Sequence, residues 1–236
     1  MGQKKLIRFA ELKTFDQVLQ FPENMAGKWK AHFQNDQPLT LELACGKGEY
    51  AIGLARLHPN KNFVGIDIKG NRLWVGAKIA RRDGLTNVAF LRTQIDRIAE
   101  YFEPGEAEEI WITFPDPQLR WSKIKKRLTH PKFLRLYERF LTPGGKIHLK
   151  TDSPDLYRFT KEVIQLYKLE LLEDSANLYA SPQLSEELQI KTHYESLDIA
   201  GSNRIHYLCF RLTPGLQNQD MDSLLKEKCR PDAVTD

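Results

Sequence analysis

The sequence predicts an α/β fold: a mostly parallel sheet with helices on both faces and an antiparallel strand at its edge. Three observations predict it. Short apolar runs alternate with helical patterns, which is the signature of βαβ units. Several runs end in glycine or proline turns. The last run, Arg204–Leu212, alternates apolar and polar residues and follows no close helix, so it can insert antiparallel.

The elements follow in order. Residues 1–38 are polar with scattered apolar positions and read as a partly ordered N-terminal arm. Leu39–Ala44 is the first strand, followed by a helical pattern through Tyr50, Ile52, Leu54 and Leu57 that stops near Pro59. Asn62–Asp67 is a second strand ending on an acid. A helix is predicted from Asn71 to Arg82, with a stop at Asp83-Gly84. Val88–Leu91 is the third strand. The fourth, Glu109–Phe114, breaks at Pro115. The fifth, Lys146–Thr151, follows the turn Pro143-Gly144-Gly145 and precedes a helix from Pro154 to Tyr167. Residues 39–213 thus form one domain, and 214–236 read as a flexible polar tail.

Composition narrows the class. The 236 residues suffice for one sizeable core, and 41% hydrophobic content is ordinary for a soluble protein. No stretch approaches the roughly 20 apolar residues of a membrane span, and Met1–Leu6 lacks a secretory core. Cys45, Cys209 and Cys229 form neither a zinc pattern nor a disulfide framework, which fits a reducing cytoplasm. The six histidines show no ligand spacing, so no metal is expected. The net charge of +4 is mild, but its distribution is not. From Arg120 to Arg139 lie Lys123, Lys125, Lys126, Arg127, Lys132 and Arg135, with Glu138 the only acid. That run reads either as a solvated face or as a phosphate-contacting patch.

In doubly wound sheets ligands bind beyond the carboxyl ends of the strands. Here that edge carries Glu42-Leu43-Ala44-Cys45-Gly46-Lys47-Gly48 and, after the second strand, Asp67. Gly46 and Gly48 allow close backbone approach, and Asp67 can accept from both hydroxyls of a ribose. The loop matches neither the dinucleotide fingerprint nor the P-loop. Glu42 just ahead of it disfavours a pyrophosphate and favours a cationic, methionine-type ligand. S-adenosylmethionine is therefore preferred over a nicotinamide dinucleotide. The loop resembles the E/D-x-G-x-G-x-G motif of class I methyltransferases, with Ala44 in place of the first glycine. That resemblance implies a Rossmann-like class I methyltransferase fold with a seven-stranded sheet. It also puts Gln94 near the adenine.

The fourth strand runs into Phe114-Pro115-Asp116-Pro117, where two prolines fix the backbone around one carboxylate. The Asn/Asp-Pro-Pro-aromatic motif of amino-directed methyltransferases is absent, and no nucleophilic cysteine lies close by. Pro115-Asp116-Pro117, then Lys125-Lys126-Arg127, Lys150-Thr151-Asp152 and Thr192-His193-Tyr194-Glu195 resemble, in order and spacing, the tRNA (guanine-N7)-methyltransferase family. Gln118 stands where that family has tryptophan, and Tyr194 where it has phenylalanine. The resemblance runs from Glu42 to Leu212. It implies methyl transfer to N7 of a tRNA guanosine, at position 46 of the variable loop. It puts Asp116 at the cofactor–base junction as the catalytic residue and a cofactor contact. It assigns Asp152, Thr192, His193, Tyr194 and Glu195 to the guanine, with Glu195 or Asp152 accepting from the base edge. Arg120, Lys123, Lys126 and Arg127 would meet tRNA phosphates. The partner is then tRNA, with the chain a monomer or a homodimer. Two other readings use the same residues: a class I methyltransferase acting on another RNA, a protein or a small molecule, and an inactive RNA-binding module.

Overall fold

A computed structural model describes residues 2–197, 201 and 204–229. The first half of the chain forms α1 (Gly2–Leu12), β1 (Val18–Gln20), α2 (Trp29–Phe33), β2 (Leu39–Leu43), α3 (Glu49–Leu57), β3 (Asn62–Asp67), α4 (Gly70–Arg82) and β4 (Val88–Arg92). The second half adds β5 (Ala107–Thr113), α5 (Pro131–Glu138), β6 (Leu141–Thr151), α6 (Pro154–Leu166), β7 (Glu170–Ser175), α7 (Glu186–Gln189), β8 (His206–Arg211) and α8 (Asp222–Lys228).

The strands form one sheet in the order β1-β4-β3-β2-β5-β6-β8-β7. β1 to β6 pair in parallel, and β8 lies antiparallel between β6 and β7. All five residues of β2 are buried, as a strand covered on both faces requires. One apolar cluster packs Trp29, Phe133, Tyr137 and Phe159 under the α2, α5 and α6 side. The other packs Leu12, Tyr50, Leu54, Leu73 and Ala77 under the α1, α3 and α4 side. Fully burying Leu41 and Leu43 stabilises the centre by about 1.5–3 kcal/mol each.

The predicted fold class holds, with eight strands among the described residues rather than seven. The extra strand comes from the N-terminal arm, where Val18, Leu19 and Gln20 register with Phe90, Leu91 and Arg92. Three residues are too few to show a period. β7 is mostly exposed and half acidic, so it lacks the apolar run that marks the other strands. It displaces β8 from the edge. The segment expected to be a flexible tail packs down as far as α8: Leu216 and Leu225 are buried in the α6 side of the core. Strand order reverses between β2 and β5, so a cleft forms at their carboxyl ends.

Candidate active site

The cleft is a cavity of about 700 Å³. Ala44 follows β2, Asp67 ends β3, Phe114–Pro117 and Leu119 follow β5, and Asp152–Asp155 follow β6. Arg72 of α4 and Tyr194 complete the wall. The sheet therefore brings Asp67, Asp116, Asp152 and Tyr194 to one space, although they are far apart in sequence.

The loop after β2 winds through three left-handed residues, Ala44 (φ 53°), Gly46 (φ 58°) and Gly48 (φ 68°). Ala44 bears a cost of about 1–2 kcal/mol that glycine would not. Asp67 holds the loop: Oδ2 accepts from Gly46 N at 3.0 Å, and Oδ1 accepts from Lys69 N at 2.7 Å. Gly48 is obligatory for a second reason, since a Cβ there would lie 2.3 Å from Phe90 Cε1.

Glu42 is only 2% exposed and stands behind the loop rather than in the cavity wall. Its carboxylate accepts from Ala51 N at 2.8 Å and from Thr113 Oγ1 at 3.0 Å, joining α3 to β5. Burial pushes its pKa up to about 8, against the pull of those two hydrogen bonds. Cys45 beside it is buried, and its thiol is held protonated by burial and by the neighbouring acids. Gln94 is exposed at the end of β4 and does not line the cavity.

Asp116 is exposed at the mouth of the cleft, and its Oδ1 accepts from Gln118 N at 3.0 Å. Phe114 (φ 47°) and Gln118 (φ 48°) are both left-handed without being glycine. Such strain persists only where surrounding contacts over-determine it, and it clusters at functional sites. Gln118 contributes its backbone: the N–H fixes Asp116 and the carbonyl faces Arg127.

The Thr192–Glu195 segment folds over the loop after β2. His193 N donates to Glu49 Oε2 at 2.8 Å, at the first turn of α3. Thr192 is buried, and its Oγ1 accepts from Glu195 N at 3.3 Å. The Tyr194 ring lies 5.4 Å from the Arg72 guanidinium carbon. Glu195 does not reach the cavity: its carboxylate is engaged by Lys150 Nζ at 3.1 Å and by the Tyr179 hydroxyl. Lys150, fully buried on β6, also donates to the Leu188 and Ile190 carbonyls at 3.0 and 2.9 Å. Burial lowers its pKa, and the Glu195 carboxylate opposes that shift. Of the two acids considered for the guanine edge, Asp152 lines the cavity.

The basic run divides in two. Arg120, Lys123, Lys125 and Lys126 are exposed on the 3₁₀ turn Trp121–Lys126 and its N-terminal flank. Arg127, expected among the phosphate contacts, is instead buried. Arg135 is bonded to Asp222. Sequence reasoning missed Lys150, Arg72 and Thr113. Lys150 carried a usable signal: a lysine beside Leu149 in a central strand needs buried acceptors. A separate cavity of about 610 Å³, over Trp111, His148 and Tyr207, holds none of the expected site residues. Among the described residues no group of three His, Cys, Asp or Glu is placed to hold a metal. No described helix is long and apolar enough to cross a membrane.

Residues 36–207 match the family model described as a putative methyltransferase. A tRNA (guanine-N(7)-)-methyltransferase of Bacteroides thetaiotaomicron is 43% identical over 221 residues, covering 90% of this chain and 87% of that protein. The corresponding protein of Porphyromonas gingivalis is 46% identical over 213 residues, covering 85% and 86%. The chain belongs to the tRNA (guanine-N7)-methyltransferase family. Among solved structures, the 16S rRNA methyltransferase KamB superposes with a TM-score of 0.61 at 15% identity, covering 81% of this chain and 96% of that one. That likeness is one of fold.

Proposed function

We propose that the protein transfers a methyl group from S-adenosylmethionine to N7 of a guanosine in tRNA, at position 46 of the variable loop, in the cytoplasm. Beyond family membership, one observation carries the reading. Asp67, Asp116 and Asp152 converge on a single cavity at the switch point, beside an exposed basic turn. The residues present fit the cofactor. Ala44, Gly46 and Gly48 turn the loop through left-handed positions, and Asp67 already stands against it. Asp67 would hold the ribose hydroxyls and Gly46 and Gly48 would admit the cofactor. Glu42, bonded behind the loop to Ala51 N and Thr113 Oγ1, would hold α3 and β5 in place around the cofactor.

When bound, the cofactor supplies a methyl group on a sulfonium. N7 of guanine carries a lone pair and no proton, so the chain need supply no general base. Its task is to position and to exclude water, effects worth roughly 7–11 kcal/mol in favourable cases. Asp116 sits where cofactor and base would meet, and Asp152 offers an acceptor for the guanine N1–H and N2–H₂ donors. Arg120, Lys123 and Lys126 offer cations to phosphates.

Purified protein, labelled cofactor and unmodified tRNA should give aniline-sensitive cleavage at one guanosine. No incorporation across a full tRNA set would refute the assignment. Asp116→Ala is expected to lower turnover on the order of 10²-fold while cofactor affinity, read by calorimetry, changes far less.

A further inference from the structure

We propose that Arg127 is a positioning residue that sets the Asp116 loop, rather than a contact for RNA phosphate. The inference rests on the methyltransferase reading above. It adds a link between the basic turn and the reacting centre.

Arg127 directly follows the exposed lysines of Trp121–Lys126, yet its residue is only 8% exposed. Nε donates to the Pro117 carbonyl at 3.0 Å, and Nη2 donates to the Gln118 carbonyl at 3.4 Å. The guanidinium carbon lies 4.7 Å from the centre of the Phe159 ring. Its hydrogen bonds thus go to two consecutive backbone carbonyls of the loop that carries Asp116, and its guanidinium lies over the Phe159 ring of α6. Burial lowers its pKa, so the cation is kept where solvation is poor.

The loop needs such a holder. Phe114 and Gln118 are both left-handed, and the Gln118 N–H that fixes Asp116 belongs to the residue whose carbonyl Arg127 binds. α6 begins with Pro154 and Asp155, which also line the cavity. Arg127 therefore ties the loop after β5 to α6, two elements that both line the cavity. Only a forked donor can reach both carbonyls while its charge lies over the ring, so lysine is not an equivalent. Phosphate grip at Lys123 or Lys126 would act on the chain immediately before this brace.

The test compares Arg127→Lys, Arg127→Ala and Lys126→Ala in the full-length protein. In Arg127→Lys the single-turnover methylation rate at saturating tRNA should fall about tenfold or more. The Kd for tRNA should stay within about threefold, with an unchanged salt slope. Lys126→Ala should do the reverse, raising Kd and reducing the slope by about one. Millimolar methylguanidine should restore part of the rate to Arg127→Ala and none to Lys126→Ala. Hydrogen exchange of the Phe114–Leu119 amides should quicken in Arg127→Lys while the β2–β3 amides stay protected. A raised Kd with a shallower slope and an unchanged rate would make Arg127 a phosphate contact and overturn the proposal. So would a loss of rate that accompanies general unfolding and resists methylguanidine. If wild-type protein fails to methylate any tRNA, the functional reading falls, and the exchange experiment still decides whether Arg127 holds the loop: unchanged exchange overturns it.

Discussion

Glu42 shows how one residue can be located correctly and its surroundings still be missed. Its position at the end of the first strand was legible, because an acid inside an apolar run before a glycine turn stands out. What the sequence could not show is that both its oxygens are taken, by Ala51 N and Thr113 Oγ1. Those partners come from another element and from a strand 71 residues away. Burial raises its pKa to about 8. The sign of the consequence is fixed. An acid with a raised folded-state pKa binds more protons folded than unfolded, so stability falls as pH rises from the unfolded value toward 8. Glu42→Gln keeps the shape and removes the titration. Urea denaturation of wild type and variant should give similar midpoints near pH 5. By pH 8.5 the variant should be the more stable of the two. Parallel curves across that range would show that Glu42 does not titrate in the folded protein as its burial requires.

Elements were legible wherever an apolar run was bounded by turn residues, as in β2, β3 and α4. They were not where the pattern was too short or too polar, as in β1 and β7, whose pairing comes from neighbouring strands. The edge that holds the cavity was legible for the same reason: strands that end in Gly, Asp or Pro announce their carboxyl ends. The basic run was only half legible. Charge is read directly from sequence, but exposure is not, and Arg127 differs from Lys126 by facing Phe159 instead of solvent. Glu195 is a similar case, because its partner Lys150 lies on β6, 45 residues away. At this scale the cofactor loop can be tested through Gly48→Ala. The added Cβ would meet Phe90 2.3 Å away, in a left-handed turn. Strain and overpacking together should cost about 2–5 kcal/mol, and cofactor affinity should fall with it. A variant as stable as wild type would mean that the turn between β2 and α3 can shift at little cost.

Across the whole molecule, the C-terminal segment closes the side of the sheet opposite α3 and α4. Arg135 on α5 donates Nη2 to Asp222 Oδ1 at 2.9 Å and to the Gln219 carbonyl at 2.7 Å. The Tyr167 hydroxyl donates to the same carboxylate oxygen at 2.5 Å. Burial alone would push the Asp222 carboxyl up, but the bonds from Arg135 and Tyr167 hold it below the usual carboxylate range. A carboxylate with a depressed folded-state pKa stabilises the fold above its unfolded pKa and loses that contribution as pH falls through the folded value. Next to this polar anchor, Leu225 is 1% exposed and belongs to the same apolar cluster as Tyr137 and Val163. Because α6 leads directly from the cavity wall at Pro154–Asp155 to this cluster, loosening α8 removes support from one side of the active cleft. Leu225→Ala should therefore cost about 2–5 kcal/mol. For a chain of 236 residues that is a fall in Tm of roughly 2–4 °C per kcal/mol. Asp222→Asn should lower the midpoint near pH 8 and flatten the acid limb of the stability curve, the two proteins converging as pH falls through the folded value of Asp222. Calorimetric scans across pH check both. An unchanged Tm in Leu225→Ala would mean that the segment after Pro214 lies on the domain without supporting it.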